Sequence, residues 1–445
     1  MRGPIHLIRI RTSFWYLPCF YALLAIGLVY LSLRLDRYVM SNERIVATLP
    51  NFIFTDLSLS QTILGSLAAS LLTMTTITFS TILVVLTTYL SEFSPRALQN
   101  FITDHSTQRV LGIFTGGFVY CVLLLLFMKE WQEGQLFIVP TFAVLIAILC
   151  LVVFIFFIQH VTTWIQVSNL LHDITTETIQ VMERLFAKSA ASIHDAPWDD
   201  WESGEIKTEK PITFTSENAG YIQYVDLDKL VKFANELDCI VRVERKQGDY
   251  INEETPLLSV WSKGKEVDKD LLIEGIIVSA ARAPLEDAHF GIQKVTEIAV
   301  RALSSGINDP STAIHCVDQL AVLLSKLTKF NVPEPYFNDS LHNLRVIMNT
   351  PKFFDYLYYA FAPIYRYGKV DPDIVEAIVN ALILIGNSSP KERKVDVWQF
   401  TEYILEGYKR QDYLTIEQKN IESKLEQLTF ILGKHAIYRK TVEHS

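Results

Sequence analysis

A run of serine and threonine residues within one long apolar segment is the first pattern that could carry chemistry. Twelve residues between Thr62 and Ser91 are Ser or Thr, and the run TMTTITFST lies at the middle of the segment. At the α-helical repeat, part of this set falls within about 100° of one helical face. We call that face, with its two apolar interruptions, the hydroxyl stripe; it comprises Ser66, Ser70, Thr73, Ile77, Ser80, Val84 and Thr87.

The hydroxyl stripe has two interpretations. Hydroxyls facing lipid would be unusual, so the stripe is expected to meet protein or water. In the first interpretation copies of this helix line a pore, and Ile77 or Val84 forms an apolar constriction that gates by dewetting. In the second, the small hydroxylated residues allow close helix packing and bond to backbone or across the interface. Thr75 and Thr78 lie off the stripe, which favours packing.

A second set of polar residues surrounds the sequence SSGINDP, which begins at Ser304. These residues flank two consecutive predicted helices and could converge on a pocket or a subunit contact; they are Arg282, Glu286, Asp287, Arg301, Asn308, Asp309 and His315. The helix that begins after Asn308 could hold an anion at its N-terminus. A purely structural account also holds: Gly306 takes the left-handed conformation that ends a helix. Asp309 then caps the next helix, with Pro310 at its first position.

The sequence gives no support for catalysis. It contains no nucleophile–base pair and no phosphate-cradling glycine loop. Glu286 and Asp287 are adjacent, so on a helix their side chains point about 100° apart, which is poor geometry for paired acid–base chemistry. No pair among the five cysteines has metal-ligand spacing. We therefore predict no enzyme activity, no metal and no cofactor.

Four apolar segments are long enough to cross a bilayer, which needs about 20 residues as helix. They cover about 14–33, 62–90, 110–128 and 135–158, and none contains Asp, Glu, Lys, Arg or His. Together with the loops between them, these segments make up a predicted transmembrane region that covers residues 1–165. The predicted fold class is an integral membrane α-helical protein with about four transmembrane helices, followed by a cytosolic α+β domain.

Positive charges near the span ends predict the orientation. Basic residues before span one and between spans two and three indicate the inside; they are Arg2, Arg9, Arg11, Arg96 and Arg109. Only Lys129 lies between spans three and four, although Arg37 and Arg44 after span one oppose the trend. The N-terminus and the C-terminal domain are thus predicted to be cytoplasmic. A net charge of -9 offers no basic face for nucleic acid.

The remaining chain divides into three predicted parts. Residues 166–212 read as a connecting helix and an acidic linker. Residues 213–263 form a small β-rich module: GYIQYVD and CIVRVER are strands, and Asp226 caps the helix between them. Residues 264–445 are predicted to be mainly helical, beginning with LLIEGIIVSAAR and ending with a helix at about 416–432.

Four stretches resemble a bacterial family of predicted membrane proteins catalogued only as a domain of unknown function. They are TMTTITFSTILVVLTTYLSEFSPR, GYIQYVD, GDYINEETPLLSV and RAPLEDAHFGIQKVTEIAVRALSSGINDPSTAIHCVDQL. The last is the most specific, and Glu286 departs from the Gln expected at its position. The resemblance covers nearly the whole chain. It implies a multi-pass bacterial inner-membrane protein and carries no established activity.

Two functional hypotheses follow. In the first, the protein is a homo-oligomeric channel in the lipid bilayer, the hydroxyl stripe lines a pathway for a small ion, and the cytosolic domain assembles or gates it. In the second, the helices only anchor a sensor or scaffold whose cytosolic domain binds a protein or small ligand. Neither hypothesis involves nucleic acid.

Overall fold

The computed structural model describes residues 16–92, 105–127, 136–164, 166–191, 210–262, 267–279, 288–330, 335–348, 350–408 and 413–438. The chain divides into two compact units, Met1–Leu170 and Leu171–Ser445.

The first unit is helical. Its helices are α1 (Tyr16–Met40), α2 (Glu43–Thr48), α3 (Leu57–Glu92), α4 (His105–Phe127) and α5 (Val139–Trp164). Four of them, all except the short α2, are long and apolar enough to cross a membrane. This confirms the four predicted spans, although the helices extend beyond the apolar segments from which they were predicted.

The largest extension is at the end of α1, which continues to Met40 and includes the buried Asp36. A carboxylate is tolerated there because it accepts a 2.8 Å hydrogen bond from the backbone N–H of Ile138, at the start of α5. Four residues earlier, Ser32 shares a buried 2.8 Å hydrogen bond with Tyr120 of α4. Asp36 and Ser32 therefore join α1 to two other spans.

Helix α4 packs against α1, α3 and α5. Its glycines make close approach possible: a Cβ atom at Gly112 would lie 2.6 Å from the ring of Tyr21, and one at Gly116 would lie 3.1 Å from the Tyr21 carbonyl oxygen. Gly112 and Gly116 are four residues apart, so they lie on the same face of α4 and bring it close to α1. Larger side chains would push α1 and α4 apart.

The second unit combines two small sheets with helices. Helix α6 (Val167–Ala191) leads into it, and α7 (Leu227–Glu236) and α8 (Lys269–Ile273) accompany the strands. The strands are β1 (Ile212–Thr215), β2 (Gly220–Val225), β3 (Ile240–Val243), β4 (Tyr250–Ile251), β5 (Pro256–Trp261), β6 (Ile276–Ser279), β7 (Tyr336–Asn338) and β8 (Leu344–Met348). The larger sheet has the order β1-β5-β3-β8-β7 and the smaller has β4-β2-β6.

The stretch LLIEGIIVSAAR was predicted to be helical, which is wrong for Ile276–Ser279; its last three residues lie outside the described residues. Helix α8 ends at Ile273, and the chain then forms strand β6, which pairs antiparallel with β2. A Cβ atom at Gly275, between them, would lie 2.7 Å from the Leu230 side chain, so this turn fits only glycine. Short apolar runs look alike in strand and helix, so periodicity could not distinguish them.

Strands β7 and β8 lie in the part of the sequence predicted to be mainly helical, and β8 pairs in parallel with β3. The larger sheet thus draws strands from both predicted parts, 213–263 and 264–445, while the domain boundaries themselves stay a prediction. Asp226 accepts a 3.1 Å hydrogen bond from the Lys229 N–H at the start of α7, which confirms the predicted cap.

Six helices complete the second unit. They are α9 (Ala288–Ala302), α10 (Pro310–Leu327), α11 (Phe353–Gly368), α12 (Pro372–Ser388), α13 (Lys391–Tyr408) and α14 (Thr415–Leu432). Helix α9 packs against α10 and α11, and α12 packs against α10 and α14. Their facing sides are almost entirely apolar, so polar side chains within these contacts stand out.

Candidate functional site

All seven residues of the hydroxyl stripe lie on the exposed side of α3. Ile77 and Val84 are 46% and 62% exposed. The residues that α3 buries within its own bundle lie on other faces of the helix; they are Ser60, Leu64, Ala68, Leu71, Thr78, Ile82 and Val85. The stripe therefore does not mediate packing among the described helices of one chain.

Hydroxyls of the stripe bond to the backbone of their own helix. Ser70 donates to the carbonyl of Ser66 at 2.8 Å, and Thr73 donates to that of Ala69 at 2.9 Å. Thr87 donates to the Val84 carbonyl at 2.7 Å. Such bonds satisfy the hydroxyl proton without water or a neighbouring helix. Each of these hydroxyl oxygens can still accept a hydrogen bond, which suits a contact with water or a cation.

The apolar interruptions divide this row of oxygen atoms. Ile77 and Val84 are seven residues apart, so they lie about 10 Å apart along the helix axis at 1.5 Å per residue. Ser80 lies between them. In a pore lined by several copies of α3, this spacing would create two separate apolar rings with one ring of hydroxyls between them.

The turn between α9 and α10 has the features of an ordinary connection between two helices. The Asp309 carboxylate accepts a 3.1 Å hydrogen bond from the Thr312 N–H, and Pro310 occupies the first turn, which confirms both predictions. The prediction for Gly306 is wrong: Asn308, with φ of 50°, takes the left-handed conformation instead. Asn adopts this conformation more readily than most residues do, because its short side chain can bond locally.

The other residues predicted around this turn are only partly brought together. Arg301 lies in the last turn of α9, Asn308 is exposed and His315 is half-buried on α10. Asp309 is already engaged as the helix cap. Arg282, Glu286 and Asp287 lie outside the described residues, so a pocket formed by the whole set stays a prediction.

Polar residues that the sequence analysis did not select lie on α9 itself. The His289 ring packs edge-on against the Tyr359 ring of α11, with centroids 4.7 Å apart. On the same side of α9, Thr296 donates to the Ala360 carbonyl at 3.2 Å. Lys294 is only 5% exposed. His289 and Thr296 are seven residues apart, about two helical turns, and that spacing among apolar neighbours was the available signal.

Lys294 occupies an unusual environment for a charged side chain. Its Nζ atom lies 4.7 Å from the centroid of the Phe290 ring. Burial lowers the pKa of the Lys294 ammonium, and the carboxylate of Glu177 on α6 opposes this shift. Titratable groups displaced in this way are more frequent at functional sites than elsewhere.

Helices α6 and α9 approach each other closely near Lys294. A Cβ atom placed on Gly291 would lie 1.9 Å from Oγ1 of Thr178 and 2.6 Å from its Cγ2. Thr178 is buried and donates to the Ile174 carbonyl. Glycine at position 291 therefore sets the separation of these two helices.

Comparison with known proteins places residues 11–383 in a family described as "Predicted membrane protein (DUF2254)". The chain is 26% identical over 340 residues to the uncharacterized protein MT1328 of Mycobacterium tuberculosis (strain CDC 1551 / Oshkosh), covering 74% of this chain and 64% of that protein. Uncharacterized proteins Mb1321c of Mycobacterium bovis and Rv1290c of Mycobacterium tuberculosis (strain H37Rv) match equally well. The chain thus spans less than two thirds of these relatives' length. No solved structure gives a significant match.

Proposed function

This chain belongs to the DUF2254 family of predicted membrane proteins, and on that premise we propose that copies of it assemble into a channel in a bacterial inner membrane. The pathway is lined by the hydroxyl stripe of α3. The outward position of the stripe supports this most directly, because α3 turns the Ser and Thr residues of the stripe away from its own bundle. Neighbouring copies around a central axis would cover that face and keep its hydroxyls in contact with water.

The chemistry of the stripe suits a small permeating ion. Hydroxyl oxygens can replace part of an ion's hydration shell, while rings of apolar side chains close a pore by dewetting. Ile77 and Val84 supply two such rings. The stripe itself carries no charge, so the charge preference of the pathway would come from residues at its ends.

The C-terminal unit assembles or gates the channel in this proposal. The positive charges predict that the N-terminus and this unit are both cytoplasmic. Only two residues separate α5, the last span, from α6. A displacement of α6 would therefore be transmitted to α5 through this two-residue connection.

A second candidate function, a membrane-anchored scaffold or sensor, has specific support as well. The stripe hydroxyls bond to their own helix, which would also let α3 face lipid. In addition, the smaller sheet exposes an apolar face: Tyr221 and Tyr250 are cross-strand neighbours with ring centroids 5.1 Å apart, and Tyr224 lies opposite Ile277. Exposed apolar faces often bind other proteins.

Planar-bilayer recording on the purified full-length protein tests the channel. We expect discrete currents, with Ile77→Ser and Val84→Ser raising the open probability because a hydroxyl keeps the constriction wet. Leu145→Ser, an exposed apolar position on α5, is the matched control and should leave the currents unchanged. If the protein is a monomer in detergent, or if neither the wild type nor the two stripe variants conduct any current, the channel is refuted and the scaffold function remains.

A further inference from the structure

The contact between α6 and α9 combines close packing with buried polar groups, which a permanent interface does not need. Gly291 and Thr178 fit closely and fix one arrangement of the two helices. Lys294 brings a charge into the interior beside them. Thr175, on the same buried side of α6 as Thr178, is 4% exposed, and within the described part of the chain its hydroxyl has no hydrogen-bond partner.

These polar groups make separation of the helices easier. A buried lysine ammonium and an unsatisfied hydroxyl both regain hydration when the contact opens, which offsets the apolar contacts that are lost. A hydrophobic residue in place of a buried charge is often neutral or stabilising. Stability alone therefore does not account for lysine at position 294, whereas a contact that must open and close does.

Glu177 opposes that tendency. It lies on α6 at the exposed rim of the contact, one residue before Thr178, and its negative charge favours the protonated form of Lys294. Attraction between the two side chains holds α6 against α9. The two charged residues thus act in opposite directions: the burial of Lys294 weakens the contact, and the partner charge of Glu177 strengthens it.

We propose that Lys294 and Glu177 form an electrostatic latch that lets α6 dock on and release from α9. Gly291 and Thr178 define the docked arrangement. Lys294 is a positioning residue within this device. Because α6 directly follows the last span in the chain, release of the latch changes channel opening, and this second step rests on the proposed function.

Hydrogen exchange of the α6 amides, measured by mass spectrometry on the full-length protein in detergent, tests the latch. Glu177→Gln removes the negative charge that attracts the buried Lys294 ammonium, so exchange of α6 should become about two- to fivefold faster. Lys294→Met removes the buried charge and keeps the side-chain length, so exchange should become about fivefold slower or more. In the double variant, exchange should match that of Lys294→Met. Glu183→Gln, at an exposed position on the same helix, is the matched control and should have no effect.

Opposite signs for the two single variants distinguish a latch from a merely structural ion pair, which predicts faster exchange and a lower melting temperature in both. Faster exchange in Lys294→Met, or equal effects of Glu177→Gln and Glu183→Gln, would overturn the latch. Bilayer recording on the same variants separates the two proposals. If the two variants change exchange in opposite directions but no current is recorded, the latch is supported and the channel is ruled out. If currents are recorded but both variants change exchange in the same direction, the channel is supported and the latch is ruled out.

Discussion

Replacing Gly291 by alanine should destabilise the C-terminal unit through a single contact. The added methyl group would meet three atoms of Thr178 at 1.9, 2.6 and 2.8 Å, all closer than non-bonded atoms approach. Rotation of Thr178 about χ1 cannot remove the clash, because its Cβ atom, which would lie 2.8 Å from the new methyl group, does not move in that rotation. The two helices must therefore separate.

The magnitude follows from two opposing effects. Overpacking a well-filled contact costs about 1–3 kcal/mol, and three close contacts place this site at the upper end. Alanine in the middle of a helix returns about 1 kcal/mol relative to glycine. The net loss is about 2 kcal/mol, which corresponds to about 4–8 °C in melting temperature for a domain of this size.

Thermal unfolding of the purified protein, followed by scanning fluorimetry in one detergent, measures this loss. Gly306→Ala is the control, because a Cβ atom there meets nothing within 4 Å and the backbone is not left-handed. Combining Gly291→Ala with Thr178→Ala removes the two nearest atoms and should recover part of the loss. A melting temperature of Gly291→Ala equal to that of wild type, or a double variant no more stable than the single one, would refute the proposed steric contact.

Three further outcomes are expected. Asp309→Ala should lower the stability by about 1 kcal/mol through loss of the α10 cap, while Ser311→Ala, in the exposed first turn, should not; equal melting temperatures would contradict the capping role. Burial alone would raise the pKa of Asp339, but hydrogen bonds from Arg345 and from the backbone of Asn343 and Leu341 hold it below its usual range. The carboxylate therefore stabilises the fold above about pH 4 and loses this effect as the pH falls further, so the melting temperatures of wild type and Asp339→Asn should converge in acid, and a constant difference would contradict this. Tyr365→Phe removes the 2.9 Å hydrogen bond to the Ile404 carbonyl and should cost about 1 kcal/mol in urea unfolding; no change in the midpoint would show that water replaces the bond.

Local features of the fold were predictable because neighbouring residues determine them. The four spans follow from the length of apolar runs. The caps at Asp226 and Asp309 follow from a carboxylate placed three residues before an orphan backbone N–H. At Gly306 local reasoning failed, because two residues of the same turn could take the left-handed conformation and the structure uses Asn308.

Strand pairing was harder to predict from the sequence than the spans and the caps. Ile276–Ser279 is an apolar run that could belong to a helix or a strand, and only its partner β2, more than fifty residues earlier, settles the choice. The parallel pairing of β3 with β8 joins residues about a hundred positions apart. No local pattern in either segment specifies such a neighbour.

The hydroxyl-rich face of α3 follows from residue spacing alone, since the helical repeat is known without a structure. The direction of that face depends on which sides of α3 the other spans cover, and this is visible only in the folded chain. The other spans cover the sides that carry Leu64, Leu71 and Val85. The same distinction applies to Lys294. Its type and helical position are visible in the sequence, but its burial beside Thr178 arises only when α6 and α9, more than a hundred residues apart, come together.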